Sequence, residues 1–161
     1  MVHIRKATPA EYAAVGALTE AAYRADGHLQ HGDGYAEVLR DAAGRARNSD
    51  LLVAVEAGRL IGTVTYCPPG SASRQVANDA EAEFRMLAVT EDWRGRGVAR
   101  ALVEACRDRA RSRGIDRLVL CTLDSMHGAQ ALYRSMGFVR VPDRDWEPVP
   151  GLWLRGFSLT L

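Results

Sequence analysis

The sequence predicts an α/β (α+β) fold, in which helices flank a single mixed and mostly antiparallel sheet. The chain has 161 residues, a length typical of one domain with its own core. Segments with the alternation of strands and segments with the spacing of amphipathic helices follow one another in the order βααββ and then βαβαββ. The sequence contains no internal repeat and no low-complexity linker, so we expect a single domain over residues 1–161.

The first half predicts three strands and two helices. Thr8 can cap the first helix, because Pro9 occupies its first position and Glu11 stands three residues after Thr8. Ala57 and Gly58 form a turn between two apolar runs, a pattern typical of a hairpin. The predicted elements are a strand at 2–8, helices at 9–23 and 35–47, and two strands within 50–69.

The second half predicts four strands and two helices. Gly137 stands where a left-handed C-cap would end the second of these helices. The predicted strands are 81–89, 116–124, 138–142 and 152–161, and the helices lie within 93–114 and 125–137. Residues 24–34 and 70–80 read as polar loops, and a proline-rich loop at 143–151 joins the last two strands.

Composition excludes several classes of function. With 21 basic and 20 acidic residues the formal charge is +1, which argues against nucleic-acid binding through a basic face. No apolar run reaches the ~20 residues of a transmembrane helix, so we expect no membrane association. The first 15 residues lack the apolar core and cleavage site of a signal peptide, and the three cysteines are widely spaced, which together predict a cytoplasmic protein. Lys6 is the single lysine beside many arginines and alanines, a usage typical of a GC-rich bacterial genome.

The most informative segment is the turn at residues 94–99, "RGRGVA", which follows a strand and opens a helix. Unpaired backbone N–H groups and the helix dipole attract phosphate at such a place. A P-loop is excluded because the segment has no lysine, and a dinucleotide fingerprint is excluded because Arg100 stands at its third glycine. What remains is the pattern [QR]xxGx[GA], with a plain helix cap surrounded by solvated arginines as the alternative.

A second pattern follows at the right distance. "MHGAQALYRSMGF" fits NxxAxxLYxxxGF at Ala129, Leu132, Tyr133, Gly137 and Phe138. The two patterns, in this order, resemble the signature motifs of the GCN5-related N-acetyltransferase (GNAT) family, and the element order of the whole chain is similar to that fold. Met126 departs from the family pattern, because it occupies the position of an asparagine that binds the pantetheine arm. Ser125 or backbone groups could take its place.

The resemblance implies that acetyl-coenzyme A is the co-substrate and that no metal is needed. The pyrophosphate would bind at the glycine-rich turn. The strands bearing Leu87 and Cys121 would separate, so that pantetheine lies between them and backbone N–H groups polarise the thioester carbonyl. The expected cofactor-binding residues are Leu87, Ala88, Val89, Arg94, Gly95, Arg96, Gly97, Val98, Ala99, Arg100 and Ser125.

The same resemblance gives two catalytic residues. Tyr133 would donate a proton to the departing thiolate, the alternative being a simple core aromatic. Glu83 would accept the proton of the amine, because it precedes Arg94 by the spacing seen in histone-type members of the family. A surface ion pair is the alternative for Glu83, and Glu81 is the reserve base.

The resemblance also implies an acceptor pocket beside the first helices, where Tyr23, Asp33 and Tyr35 would bind substrate. Trp146 or Trp153 in or after the proline-rich loop could form an apolar wall. Asp26, His28, His31 and Asp33 are close in sequence, but their spacing fits no standard metal motif, so we expect no metal.

We therefore expect acetyl transfer to a primary amine of a small molecule by direct attack. Peptide N-termini or protein lysines are the alternative acceptors, and a non-catalytic acyl-CoA sensor is the alternative from another class. A homodimer is possible, since dimers are common in the family.

Overall fold

The structure is a computed structural model that describes residues 1–29 and 34–161. In this part of the chain eight strands form one sheet in the order β1-β2-β3-β4-β5-β8-β6, and β7 also pairs with β8. The strands are β1 (His3–Lys6), β2 (Asp50–Glu56), β3 (Arg59–Cys67), β4 (Ala82–Val89), β5 (Arg117–Leu123), β6 (Val139–Arg140), β7 (Trp146–Val149) and β8 (Leu152–Thr160). The helices are α1 (Tyr12–Ala25), α2 (Tyr35–Arg40), α3 (Ala42–Asn48), α4 (Val98–Ser112) and α5 (His127–Ser135). This mixed sheet with flanking helices confirms the predicted fold class.

The sheet opens between β4 and β5, its parallel pair. These strands pair only near their first residues, where Ala82 lies opposite Leu118 and Glu83 lies opposite Val119. Beyond that point the described strands make no further ladder contacts, so the backbone edge of β4 is left without a strand partner. An edge of this kind can accept an extended ligand as if it were a strand.

A bulge in β4 accompanies this opening. Thr63 of β3 lies opposite Ala88, but Thr65 lies opposite Arg85, so β4 has one more residue than β3 in this stretch. Met86 in the bulge has a left-handed φ of 55°, which is strained for a residue with a side chain. Such bulges bend a strand and redirect its side chains.

The core packs α4 and α5 against the sheet. The apolar stripe of α4 is buried completely at Leu102 and Val103. On α5, Tyr133 forms edge contacts with Phe84 and Phe157, with ring centroids 5.7 and 6.1 Å apart. These contacts hold α5 over the point where β4 and β5 separate.

Several predicted details are confirmed. Glu11 accepts a hydrogen bond from the backbone N–H of Thr8 at 2.8 Å, as the capping box requires. Ala57 and Gly58 have left-handed φ values of 50° and 78° in the hairpin turn, and Gly137 ends α5 with a φ of 97°.

Three predicted boundaries are wrong. Residues 9–11 form a 3₁₀ turn, so α1 begins at Tyr12 and extends to Ala25. The helix predicted at 35–47 is divided at Asp41, whose carboxylate accepts a hydrogen bond from the N–H of Gly44 at 2.9 Å and so caps α3. The proline-rich loop contains β7, which tolerates Pro148 because β7 pairs with β8 alone.

Among the described helices, none combines the length and apolar character that a membrane span demands.

Candidate active site

A groove of about 820 Å³ lies at the start of α4, beside the open edge of β4. Ten of the eleven residues predicted to bind the cofactor line it. They are Leu87, Ala88, Val89, Arg94, Gly95, Gly97, Val98, Ala99, Arg100 and Ser125. The sequence patterns thus converge on one concave surface.

The backbone at the start of α4 is arranged for close approach of an anion. Gly97 is the N-cap with a φ of 83°, and no side chain from the described residues caps this helix. The first N–H groups of a helix have no partner within it, so they point outward together with the positive end of the dipole. A Cβ built on Gly95 or Gly97 would meet no atom within 4 Å. That open space is available to a ligand.

The three arginines of the turn have different roles. Arg94 forms an ion pair with Asp26 and donates from Nε to the carbonyl of Val89 at 3.2 Å, so it ties the turn to α1 and β4. Arg96 does not line the groove, because its guanidinium stacks over the Trp93 ring at 4.7 Å. Arg100 is exposed on the groove and donates to Ser135 at 2.7 Å. Arg100 therefore lines the groove without a carboxylate partner among the described residues.

Met126 and Ser125 form the α5 side of the groove. Ser125 is exposed, and its hydroxyl lies 3.3 Å from Nδ1 of His28. The Met126 sulfur accepts a hydrogen bond from Thr122 at 3.4 Å. A serine hydroxyl is thus present where the family asparagine is absent.

A smaller cavity of about 210 Å³ continues from the groove, and five residues line both: Tyr23, His28, Leu87, Met126 and Ala129. Its other walls come from α2, β4, β5, α5 and the β7–β8 hairpin. Tyr133 and Cys121 line this cavity, and the walls are mostly apolar. A ligand in the groove could therefore present one end to a second ligand in the cavity.

Tyr133 is almost fully buried, with 4% of its surface exposed. Burial raises the pKa of its hydroxyl above the usual value. The tyrosine therefore keeps its proton at neutral pH and can donate a hydrogen bond into the cavity.

Glu83 is fully buried, and its carboxylate is held by the loop before β4. The N–H groups of Gln75, Val76 and Ala77 donate to its oxygens at 2.9 to 3.1 Å. Burial raises the pKa of Glu83, and these hydrogen bonds oppose the rise without cancelling it. Glu83 does not itself line the cavity, but Gln75 does, and the Gln75 side chain accepts from the Cys121 thiol at 3.2 Å.

Glu81 has a different environment. Arg144 donates to both of its carboxylate oxygens, at 2.5 and 2.9 Å. Burial raises the pKa of Glu81, but the hydrogen bonds from Arg144 and Asn78 outweigh it and hold the pKa below its usual value. A carboxylate bound in this way is a poor proton acceptor, so the reserve assignment is not supported.

The structure describes two of the three residues predicted to bind substrate. Tyr23 and Tyr35 line the cavity, with ring centroids 6.3 Å apart. Asp33 lies outside the described residues, as does His31. Neither Trp146 nor Trp153 lines the cavity, so the predicted tryptophan wall is wrong. Instead, Pro148 and Val149 of β7 cover it.

Sequence reasoning also missed His28, Gln75 and Arg85. His28 lines both the groove and the cavity, and Arg85 lies in the cavity wall. His28 follows α1, Gln75 lies in the loop before β4, and Arg85 stands at the bulge in β4; none of these positions has a clear sequence signal. Among residues 1–29 and 34–161, no group of three or more His, Cys, Asp or Glu side chains is arranged to hold a metal ion.

Comparison with known proteins agrees with this geometry. Residues 16–138 match the model of the acetyltransferase (GNAT) family. N-acetyltransferase 8 of Rattus norvegicus is 37% identical over 116 residues, which cover 70% of this chain and 49% of the relative. N-acetylaspartate synthetase of Danio rerio is 31% identical over 100 residues, which cover 62% of this chain and 33% of the relative. The chain thus spans half or less of the length of these relatives.

Solved structures share the fold. A GNAT acetyltransferase from Staphylococcus aureus superposes with a TM-score of 0.77 at 12% identity, with 100% of this chain and 99% of that chain covered. Ribosomal-protein-alanine N-acetyltransferase from Brucella melitensis gives 0.70 at 22% identity, with 99% of both chains covered. At these identities the comparison concerns the fold alone.

Proposed function

Because this chain belongs to the acetyltransferase (GNAT) family, we propose that it transfers the acetyl group of acetyl-CoA to a primary amine of a small molecule by direct attack. The family uses acetyl-CoA as its co-substrate. The observation that carries the proposal is the continuity of two spaces: a groove ending at an uncapped helix start, and a mostly apolar cavity that shares five lining residues with it. The first suits a phosphate-bearing donor, and the second suits a small acceptor.

The donor would bind along the groove. The N–H groups at the start of α4 and the Arg100 side chain would hold the pyrophosphate, while Arg94 keeps the turn in place through Asp26. The open edge of β4 around Leu87 and Val89 would accept the pantetheine arm as an added strand. Ser125 would supply the side-chain hydrogen bond that Met126 cannot.

Direct attack is favoured over an acetyl-enzyme. Cys121 lines the cavity, but burial raises the pKa of its thiol to about 11. The thiol is therefore protonated at neutral pH and a weak nucleophile. The acceptor amine would itself attack the thioester carbonyl.

The amine must first lose a proton, because an alkylamine with a pKa of about 10.4 is charged at pH 7. We assign this proton to Glu83, reached through a water at the Gln75 and Cys121 wall, and the raised pKa of Glu83 supports the assignment. His28, which lines the cavity directly, is the alternative acceptor. Tyr133 would then donate to the departing sulfur.

A small acceptor is favoured over a peptide because Pro148 and Val149 cover the cavity, whose volume is about 210 Å³. Small-molecule pockets are typically concave and mostly apolar, with volumes of about 300–1,000 Å³, so a cavity at or below the lower end suits a small acceptor. A peptide or protein lysine would have to displace the β7–β8 hairpin.

The test is steady-state release of free thiol from acetyl-CoA with a panel of small amines and short peptides, with mass detection of the acetylated products. We expect at least one small amine to gain an acetyl group and intact-mass spectra to show no acetylated protein. Tight CoA binding without thiol release for any amine or peptide would indicate a sensor instead. Preferred acetylation of the peptides would show that the acceptor is a peptide and not a small amine.

A further inference from the structure

Arg85 places a positive charge in the wall of the acceptor cavity. The residue is half-buried, and Nη1 donates to the carbonyl oxygen of Ser73 at 2.9 Å. Its side chain also hydrogen-bonds with the Tyr35 hydroxyl. Both partners are neutral, and a guanidinium has five N–H donors, so the charge and some donors remain available.

No carboxylate in the described part of the chain forms an ion pair with Arg85. Within residues 1–29 and 34–161, Arg85 makes no ion pair, and no Asp or Glu lines the cavity. Glu83 is the acidic neighbour on the same strand, and the charge of Arg85 opposes the rise that burial causes in its pKa, but its oxygens accept hydrogen bonds from the N–H groups of the 75–77 loop and none from Arg85. A half-buried cation in a mostly apolar wall is costly without a partner.

A second arginine adds positive charge near Arg85. Arg45 of α3 is 6% exposed, and its Nε and Nη2 are buried with no hydrogen-bond partner in the described residues. Its remaining nitrogen donates to the carbonyl of Val38 at 2.9 Å. Burial, and after it the charge of Arg85, lower the pKa of Arg45, so the two cations are near enough to repel each other. Tyr23 and Tyr35 lie in the same field but carry no charge, because burial raises the pKa of both hydroxyls.

We propose that the acceptor amine carries a carboxylate, which Arg85 binds within the cavity. This inference rests on the proposed acetyl transfer and specifies its substrate class. A planar carboxylate can accept two parallel N–H bonds from one guanidinium, a match that an ammonium lacks. The remaining walls include Leu123, Leu152 and Leu154, so they favour an apolar side chain on the same molecule. The acceptor class is therefore an amino acid with an apolar side chain.

The positive charge of Arg85 also favours an acceptor that carries a carboxylate beside its amine. A protonated simple amine would meet Arg85 and Arg45 as a like charge and would be repelled at short range. An amino acid is neutral overall, and its carboxylate occupies the positive end of the cavity. Its amine is then free to lie toward Tyr133.

The experiment compares three matched pairs, each an amino acid and the amine left when its carboxylate is removed. The pairs are L-phenylalanine and phenethylamine, L-leucine and isoamylamine, and L-methionine and 3-(methylthio)propylamine. We expect kcat/KM to favour the amino acid of at least one pair by about tenfold or more, the order of a hydrogen bond to a charged group. Arg85→Gln should remove this preference mainly by raising KM, whereas Arg85→Lys should retain part of it.

Arg107→Gln is the matched control, since Arg107 lies on α4, pairs with Asp108 and lines neither space. It should leave the preference intact, and a melting curve for each variant shows that it is folded. Efficient acetylation of the simple amines, with the amino acids used no better, overturns the carboxylate acceptor but leaves acetyl transfer standing. An equal loss for both members of a pair in Arg85→Gln overturns the role of Arg85.

Calorimetry separates this inference from the proposed function. L-Phenylalanine and phenethylamine are titrated into the protein saturated with CoA, so no turnover is needed. Tighter binding of L-phenylalanine, lost in Arg85→Gln, supports the inference even if no thiol is released. Binding of neither probe, or tighter binding of phenethylamine, contradicts it.

Discussion

At the scale of single residues, Tyr133 combines packing and chemistry in one side chain. Its ring contacts Phe84, Phe138 and Phe157, and the residue also lines the cavity. Tyr133→Phe keeps the ring contacts and deletes the proton. We expect the melting temperature and acetyl-CoA affinity to change little, and single-turnover acetyl transfer to slow by roughly 10²–10³.

The lower part of the range for acid catalysis is expected because a thiolate with a pKa of about 8.5 leaves without much help. A parent-like transfer rate in Tyr133→Phe would show that the tyrosine is structural. Loss of the melting transition would show that its hydroxyl is needed for folding.

Substitution of Glu83 tests both stability and catalysis, because its carboxylate accepts hydrogen bonds from three backbone N–H groups. Glu83→Gln replaces one acceptor oxygen by an N–H₂ group that cannot accept, so we expect a loss of about 1–3 kcal/mol in unfolding free energy. If Glu83 is also the base, the rate at pH 7 should fall by roughly 10²–10⁴ and recover in part as the pH rises and free amine appears.

His28→Gln is the comparison variant, since His28 lines the cavity without holding the 75–77 loop. A large rate loss with pH recovery in His28→Gln, and a loss in Glu83→Gln that no pH restores, would move the base to His28. Stability is measured by urea unfolding beside each pH profile.

The residues that the sequence predicted best are those whose neighbours in the chain fix their conformation or their place on a helix. Gly97 must adopt a left-handed φ at the start of a helix, and Tyr133 lies one turn after Ala129 on a helix facing the sheet. The contacts of Arg85 and Arg94 could not be predicted this way. Their partners, Ser73 and Asp26, belong to other parts of the chain, and no spacing in the sequence indicates these contacts.

At the scale of elements, Asp145 fixes the segment that covers the cavity. Its carboxylate accepts hydrogen bonds from Arg140 at 2.7 Å, from the N–H of Gly156 at 2.8 Å and from Arg155 at 3.2 Å. The hydrogen bond from Arg140, with those from Gly156 and Arg155, lowers the pKa of Asp145 to about 2. Asp145 therefore connects the start of β7 to β6 and β8.

Asp145→Asn tests this connection and its pH dependence. A carboxyl whose pKa is about 2 when folded and 3.8 when unfolded stabilises the fold fully above 3.8 and loses that contribution as the pH falls toward 2. We expect Asp145→Asn to lower the unfolding free energy by about 2 kcal/mol at pH 7 and by much less near pH 2. Asp143→Asn is the control, because Asp143 is exposed on the same turn. Equal losses at both pH values would contradict the assignment.

Elements with strong periodicity were predicted well, and elements set by distant contacts were not. The sequence pattern of α4 alone places its buried stripe. β7 was missed because prolines indicate a loop and its strand conformation comes from pairing with β8. The division of the 35–47 helix was missed because an aspartate is compatible with a helix, and only its bond to Gly44 marks the cap.

At the scale of the whole molecule, the site exists because the sheet is incomplete. The separation of β4 from β5 leaves a gap that reaches the start of α4 at one end and the smaller cavity at the other. The family resemblance implies that these strands separate, but the bulge at Met86 that accompanies the gap has no sequence signal. A ligand in the gap would join α1, β4, α4 and α5 to one another.

A ligand that joins four elements of the native state must also stabilise it. At 100 times its dissociation constant, CoA should add about 2.7 kcal/mol to the unfolding free energy, which for a chain of this size corresponds to a rise of roughly 5–10 °C in Tm. Gly97→Asn and Gly97→Asp share the same left-handed strain and nearly the same volume, and differ in one negative charge. We expect the CoA-dependent rise to persist, reduced, in Gly97→Asn and to disappear in Gly97→Asp, because the carboxylate would meet the pyrophosphate at the helix start. Thermal scans of both variants with and without CoA measure this directly. Equal rises in the two variants would falsify pyrophosphate binding at this turn, since charge is the one property that separates them.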